Sequence, residues 1–313
     1  MADQSIENAG LLVVDKPAGM TSHDVVSKCR KAFNTRRVGH AGTLDPMATG
    51  VLVVGVERAT KLLGLLSLTT KSYRATIRLG AATTTDDREG EILSRADPSS
   101  VTDDQIRSAV VDLTGEIDQV PARVSAIKVD GRRAHALVRT GADFDLESRR
   151  VTVSRFDIHD IARVDEATTL DAGTVAQTPG WIDLDVTVDC SAGTYIRSLA
   201  RDLGATLGVG GHLTALRRTA VGQFTLDHAR TLEQVAEDRR LSLSIDEAVK
   251  LCFPHRDISD DEAESISQGR WLTPIGLAGT YVVIDPAGQA IALIEEKGRR
   301  ASSVMVVRPA TLR

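Results

Sequence analysis

Val38-Gly39-His40-Ala41-Gly42-Thr43-Leu44-Asp45-Pro46-Met47-Ala48-Thr49-Gly50 decides how the chain is read. Glycines and a proline bracket one aspartate, so Asp45 is held by backbone constraint rather than by side-chain freedom, as a nucleophile must be. Asp before Pro is also an ordinary turn initiator. Residues 35–50 read as a long loop, and ordered loops of that length are usually functional. On the N-terminal side, the apolar run 11–15 is strand-like and ends at Lys16-Pro17-Ala18-Gly19, where Pro and Gly force a turn. Thr21-Ser22 then caps a helix over about 23–33, with Val25, Val26, Cys29 and Phe33 at helical spacing. On the C-terminal side come a buried strand at 51–56 and an alternating strand at 72–79 that puts Tyr73, Ala75, Ile77 and Leu79 on one face.

Further out, Thr102-Asp103-Asp104-Gln105 is a capping box opening a helix to about Leu113. Residues 118–150 are basic and less regular, as an RNA-gripping insert or an exposed hairpin and helix would be. Strands are expected at 151–160 and 181–190, and helices at 195–207, 231–249 and 259–267. Two more strands, 280–284 and 290–294, complete the pattern. Strands and helices mix without strict βαβ repetition, so the fold class is α+β with a mixed, largely antiparallel sheet. Pro254 marks the boundary between a catalytic domain at 1–250 and a small β-rich domain at 251–313.

Composition removes several classes. The chain has 313 residues, 42% hydrophobic and 26% charged, which suits a folded protein of one large or two unequal domains. No apolar run approaches the roughly 20 residues of a membrane helix. The N-terminus lacks the basic patch and apolar stretch of a secretory signal, so a cytoplasmic location is expected. Cys29, Cys190 and Cys252 are too far apart for a zinc site and read as packing residues. No P-loop or dinucleotide glycine fingerprint occurs. The net charge of −5 opposes nucleic-acid binding, yet Lys28, Arg30, Lys31, Arg36 and Arg37 cluster before the Asp45 loop, and Arg123, Lys128, Arg132, Arg133 and Arg139 cluster in the insert. A locally basic groove is sufficient, because phosphates respond to charges within a Debye length of about 8 Å.

The 38–50 string resembles the catalytic-loop motif of the TruB family of tRNA pseudouridine synthases. Ordered companions strengthen the resemblance. Lys16-Pro17-Ala18-Gly19 is similar to the family's K-P-x-G element, and Lys71-Ser72-Tyr73-Arg74 to its tyrosine-bearing strand. Cys190-Ser191-Ala192-Gly193-Thr194-Tyr195-Ile196-Arg197-Ser198-Leu199 resembles its basic motif, and His212–Thr219 its following strand. The resemblance implies isomerisation of uridine 55 in the TΨC loop of tRNA by a monomeric enzyme that binds the T-arm and uses no metal or other cofactor and no guide RNA. It also implies roles. Asp45 is the nucleophilic carboxylate, attacking ribose or base or assisting glycal formation. Arg197 pairs with it, and Tyr73 stacks on the uracil and is the candidate base for the C5 proton. Tyr195 and Leu216 line the pocket, and His40 helps fill the space left by the extruded base. Lys16 and Pro17 support the loop. Apart from the resemblance, the basic clustering of the insert makes Arg132 and Arg133 expected RNA contacts. The segment 120–150 departs from the family pattern, with Arg123-Val124 where an aromatic is common and His135 where tyrosine is usual. The tail beyond about 252 resembles a compact PUA-like RNA-binding module.

Two competing readings are a guide-RNA-dependent enzyme of the dyskerin type and an RNA-binding chaperone. Intact Asp45, Tyr73 and Arg197 speak against the loss of catalysis, and chaperoning is compatible with it.

Overall fold

A computed structural model describes residues 4–124, 128–129, 132–133, 144, 146–169 and 175–312. Much of the basic insert, including His135 and Arg139, lies outside the described residues. Arg132 and Arg133 are described as a backbone strand paired with Lys128–Val129, and their side chains are not described. The chain forms two compact units: 1–46, 50–67 and 220–313 make one, and 47–49 with 68–219 make the other. These units cut the chain elsewhere than position 250.

In the first unit the strand Gly10–Lys16 runs antiparallel to Thr49–Val56, in register from Gly10↔Val56 to Lys16↔Gly50. Both are almost continuously apolar and buried, as strands covered on two faces must be. Val38–Ala41 pairs antiparallel with Thr49–Val56, so the expected loop at 35–50 contains a short strand. The helix Ser22–Phe33 starts with the expected cap: the Thr21 hydroxyl accepts from Asp24 N–H, and the Asp24 carboxylate accepts from Thr21 N–H. It ends at Asn34, whose φ of 49° is left-handed. The stretch expected as one helix over 231–249 is two, Leu232–Asp238 and Ile245–Cys252. Arg239 turns left-handed at φ 55°, freeing Leu243–Ser244 to pair with the edge at Gly10–Leu11, while Ser242 Oγ accepts from Val13 N–H at 3.0 Å. An open strand edge outcompeted helix propensity there.

The same unit holds a four-stranded sheet in the order His255–Asp257, Thr280–Ile284, Ala290–Lys297, Arg300–Val306. The helix Asp260–Ser267 packs with it around fully buried Tyr281, Val283, Ile291 and Ile294. The sheet is riveted to the rest of the unit. Arg58 donates from Nε to the Val307 carbonyl at 2.6 Å and from its guanidinium to the Val306 carbonyl at 2.8 Å. Asp246 takes a two-pronged Arg308 fork, both distances 2.7 Å, and also accepts from Ala290 N–H. Burial pushes the Asp246 carboxyl upward, but the Arg308 hydrogen bonds and charge and the Ala290 N–H outweigh it and hold the pKa below the ordinary value. A carboxyl depressed in the folded state stabilises above its unfolded pKa, near 3.9, and loses that contribution as pH falls through the folded value. Asp246→Asn should therefore cost about 2 kcal/mol at neutral pH. Urea unfolding of both proteins should show the gap closing below about pH 4; a gap independent of pH would mean that the fork does not set stability.

The second unit is built on a sheet in the order Gly211–Val221, Lys71–Leu79, Val175–Cys190, Arg149–Thr169, Gly115–Gln119. Its pairings from Lys71–Leu79 through to Gly115–Gln119 are antiparallel. Lys71–Leu79 alternates as expected, with Tyr73, Ala75, Ile77 and Leu79 buried on one face. The outer strands run well beyond the expected ends and carry three register shifts between them. The expected helices appear at Asp103–Asp112, with its capping box, and at Ile196–Thr206. Taken together the fold is α+β with a mixed, largely antiparallel sheet. Among the described residues no helix is long and apolar enough to cross a membrane.

Candidate active site

The residues singled out by sequence fall in both units. In the first, the Asp45 loop leaves Val38–Ala41 through Gly42, whose φ of 82° suits glycine. It is then pinned on either side of the aspartate. Ser22 Oγ, buried at the start of its helix, accepts from Leu44 N–H at 2.8 Å and donates to the Leu44 carbonyl at 3.2 Å. The Pro46 carbonyl accepts from Gly19 N–H at 2.8 Å and from Lys16 Nζ at 3.2 Å. Lys16 is wholly buried, and its ammonium also donates to the Pro17 and Met20 carbonyls, at 2.9 and 2.6 Å. A buried ammonium is tolerated only with such a set of acceptors. Lys16 thus ties its own Pro-Gly turn to the residue that follows Asp45. Asp45 itself is half-buried, and so is His40, which stands opposite Val54 in the sheet.

In the second unit Arg197 sits in the first turn of Ile196–Thr206, 3% exposed. Its guanidinium donates to the Thr85 carbonyl at 2.7 Å and to the Val124 carbonyl at 2.9 Å, and it stands 3.6 Å from the Asp87 carboxylate. Asp87, 3% exposed, accepts from Thr85 Oγ1 at 2.6 Å and from Glu89 N–H at 3.0 Å. One helical turn on, Arg201 reaches Asp86 at 3.3 Å and the Val120 carbonyl at 2.7 Å. Burial raises the Asp86 carboxyl above its ordinary value against the pull of Arg201 and Arg197. Asp86 is left-handed at φ 59°, and the turn is fastened to the next strand by Leu213 N–H to the Asp86 carbonyl and Arg88 N–H to the Leu213 carbonyl. Sequence reasoning missed Asp86 and Asp87; the run Thr83-Thr84-Thr85-Asp86-Asp87 is a turn signal that could have drawn attention to them.

Gln119 is a second omission. Its buried amide clips the backbone of Tyr195 from both sides, accepting from the N–H at 2.8 Å and donating to the carbonyl at 3.1 Å. Tyr195 caps the helix that carries Arg197, so the clip fixes where that helix begins. Tyr73 is 7% exposed opposite Val188, and Leu216 is 7% exposed within Gly211–Val221. All three thiols are pushed up by burial to about 11, so they are protonated packing groups at neutral pH. Among the described residues, no group of three or more His, Cys, Asp or Glu side chains has an arrangement that could hold a metal ion.

Residues 30–196 match the profile of the TruB family pseudouridylate synthase N-terminal domain. Residues 197–249 match the tRNA pseudouridylate synthase B C-terminal domain, and 253–308 match the C-terminal region of tRNA pseudouridine synthase II. A protein named tRNA pseudouridine synthase B from Rhodococcus jostii (strain RHA1) is 66% identical over 306 residues, covering 97% of this chain and 96% of its own. One of the same name from Corynebacterium efficiens is 59% identical over 98% of this chain and 99% of its own. Among solved structures, a chain from a Cbf5-Nop10-Gar1 complex superposes with a TM-score of 0.69 at 25% identity, covering 99% of this chain and 88% of that one. The clamped aspartate loop, the buried arginine motif and these matches agree: the chain belongs to the TruB family and is a pseudouridine synthase.

Proposed function

We propose that the protein converts uridine 55 in the TΨC loop of tRNA to pseudouridine, working alone as a cytoplasmic monomer without cofactor or guide RNA. The supporting observation is the clamp on either side of Asp45, which holds one carboxylate in place by main-chain bonds to Leu44 and Pro46. The name shared by the relatives supports tRNA as the substrate. In the reaction the N1–C1′ bond breaks, the uracil turns, a C5–C1′ bond forms, and the C5 proton is exchanged for one at N1. Asp45 supplies the carboxylate and Arg197 keeps it ionised and oriented. Tyr73 stacks on the base and takes the C5 proton. The base must first leave its loop, at a cost of a few kcal/mol. His40 fills part of the vacated space, and Tyr195 and Leu216 close the pocket. Residues 1–250 carry the chemistry and 251–313 form an accessory PUA-like module; help with tRNA folding is a compatible second role.

Release of tritium from 5-tritiated uridine in unmodified tRNA, by purified protein alone, tests the proposal. The likeness to a chain from a Cbf5-Nop10-Gar1 complex is the observation behind a second reading, an enzyme that works only within a complex. A requirement for added guide RNA or protein partners would replace the first reading with that one.

Affinity for tRNA should fall steeply with salt despite the net charge of −5. Replacing Arg132 and Arg133 by alanine should lower the slope of log affinity against log salt by up to about two. An unchanged slope would place the phosphate contacts elsewhere.

A further inference from the structure

Arg197 and Arg201 stand four residues apart on one face of the helix Ile196–Thr206, and each spans the same two stretches of chain. Arg197 donates to the Thr85 carbonyl at 2.7 Å on one side and to the Val124 carbonyl at 2.9 Å on the other. Arg201 repeats the span one turn later, reaching the Asp86 carboxylate at 3.3 Å and the Val120 carbonyl at 2.7 Å, while its Nε donates to the Asp202 carboxylate at 2.8 Å. The two differ in burial. The Arg197 and Asp87 side chains are 4% exposed, whereas that of Arg201 is 28% exposed and that of Asp86 14%. Gln119 adds a tie from the same segment to the helix start through the Tyr195 backbone.

Asp86 is the charge that makes the second span matter. Burial pushes its carboxyl up, the charges of Asp202 and Asp87 add to that, and the opposing pull comes first from Arg201 and then from Arg197. Asp86 is also fixed in place. Its backbone is left-handed at φ 59°, and its carbonyl accepts from Leu213 N–H at 3.0 Å. With Arg201 gone, Asp86 cannot swing away, and its attraction falls on Arg197 in competition with Asp87, Thr85 and Val124. The catalytic guanidinium would then lose its fixed seat. A misplacement of about 1 Å at a reacting centre costs on the order of 10²-fold in rate.

We propose that Arg201 is a positioning residue for the isomerisation: it neutralises Asp86 and bridges the turn at 85–87 to the segment at 120–124, and so keeps Arg197 on Asp87, Thr85 and Val124. This rests on the role of Arg197 proposed above. Arg201→Gln should lower single-turnover isomerisation of tRNA about ten- to hundredfold, while affinity stays within about twofold of wild type and its salt slope is unchanged. Asp86→Asn removes the charge and keeps a residue that tolerates the left-handed turn. Added to Arg201→Gln, it should restore the rate to within about fivefold of wild type, because the two side chains act as one pair. Arg201→Lys, the variant to use if glutamine prevents folding, keeps a cation beside Asp86 and should also stay within about fivefold. The Nε–H resonance of Arg197, in arginine-labelled protein and identified by its loss in Arg197→Lys, should shift in Arg201→Gln and return in the double variant. Wild-type turnover of Arg201→Gln, no recovery on removal of the Asp86 charge, or a loss above about tenfold in Arg201→Lys would overturn the proposal. So would a fall in affinity and salt slope that matches the loss of rate, which would make Arg201 a phosphate contact. If the wild type modified no tRNA, the functional proposal would fall, and the Arg197 resonance would still decide whether Arg201 holds it in place.

Discussion

Asp45→Asn should abolish isomerisation, a loss of at least about 10³-fold, while tRNA binding stays within about tenfold of wild type. The amide has the shape of the carboxylate and lacks its charge, so it can neither attack carbon nor stabilise the cation that forms as a glycosidic bond breaks. Loop position should survive. The clamp runs through Ser22 to the Leu44 backbone and through Gly19 and Lys16 to the Pro46 carbonyl, and none of these bonds uses the carboxylate of residue 45. Affinity should survive because RNA-binding proteins draw most of it from phosphate contacts spread over a wide surface. Single-turnover tritium release and filter binding on the same preparation separate the two effects. Parallel losses of binding and turnover would show Asp45 holding RNA or the fold together instead of reacting.

The same loop shows where sequence reading works and where it stops. Gly42, Asp45 and Pro46 announced a constrained aspartate because glycine and proline act on the backbone locally. The strand Val38–Ala41 was hidden within the loop because its second residue is glycine. The structure explains that residue by close approach, with Leu63 Cδ1 3.0 Å from where a Cβ would stand. Lys16 could be placed near the loop by resemblance, but its three carbonyl acceptors come from residues 17, 20 and 46 and depend on the pairing of Gly10–Lys16 with Thr49–Val56. Periodicity and caps located most helices and strands. The split at Arg239 was missed because what ends the helix is an unpaired strand edge more than 200 residues away in sequence. Asp87 and Gln119 escaped for the same reason: each is ordinary in its own segment and acquires its task only when Ile196–Thr206 is brought beside it.

Tyr73→Phe should bind tRNA and rearrange the base yet fail to finish, leaving a C5–C1′ adduct that still holds its C5 hydrogen. Two roles are assigned to this residue, and the variant separates them. If the ring only stacks, phenylalanine supplies the same face, turnover persists, and Tyr73→Leu loses about 1–3 kcal/mol of base–aromatic stacking. If the hydroxyl takes the proton, its removal withdraws general-base help worth about 10²–10⁴ in rate, and the leucine variant loses both. Position favours use of the oxygen. Tyr73 is 7% exposed on a rigid central strand, bonded to Val175–Cys190 along its length, in a chain with only three tyrosines. A phenol presents an oxygen that a phenylalanine of the same ring shape lacks. The adduct can be trapped on denaturing gels or followed as retained tritium in RNA whose substrate uridine is consumed. Tritium release from Tyr73→Phe at the wild-type rate would refute the proton-transfer role and leave the ring as a stacking surface.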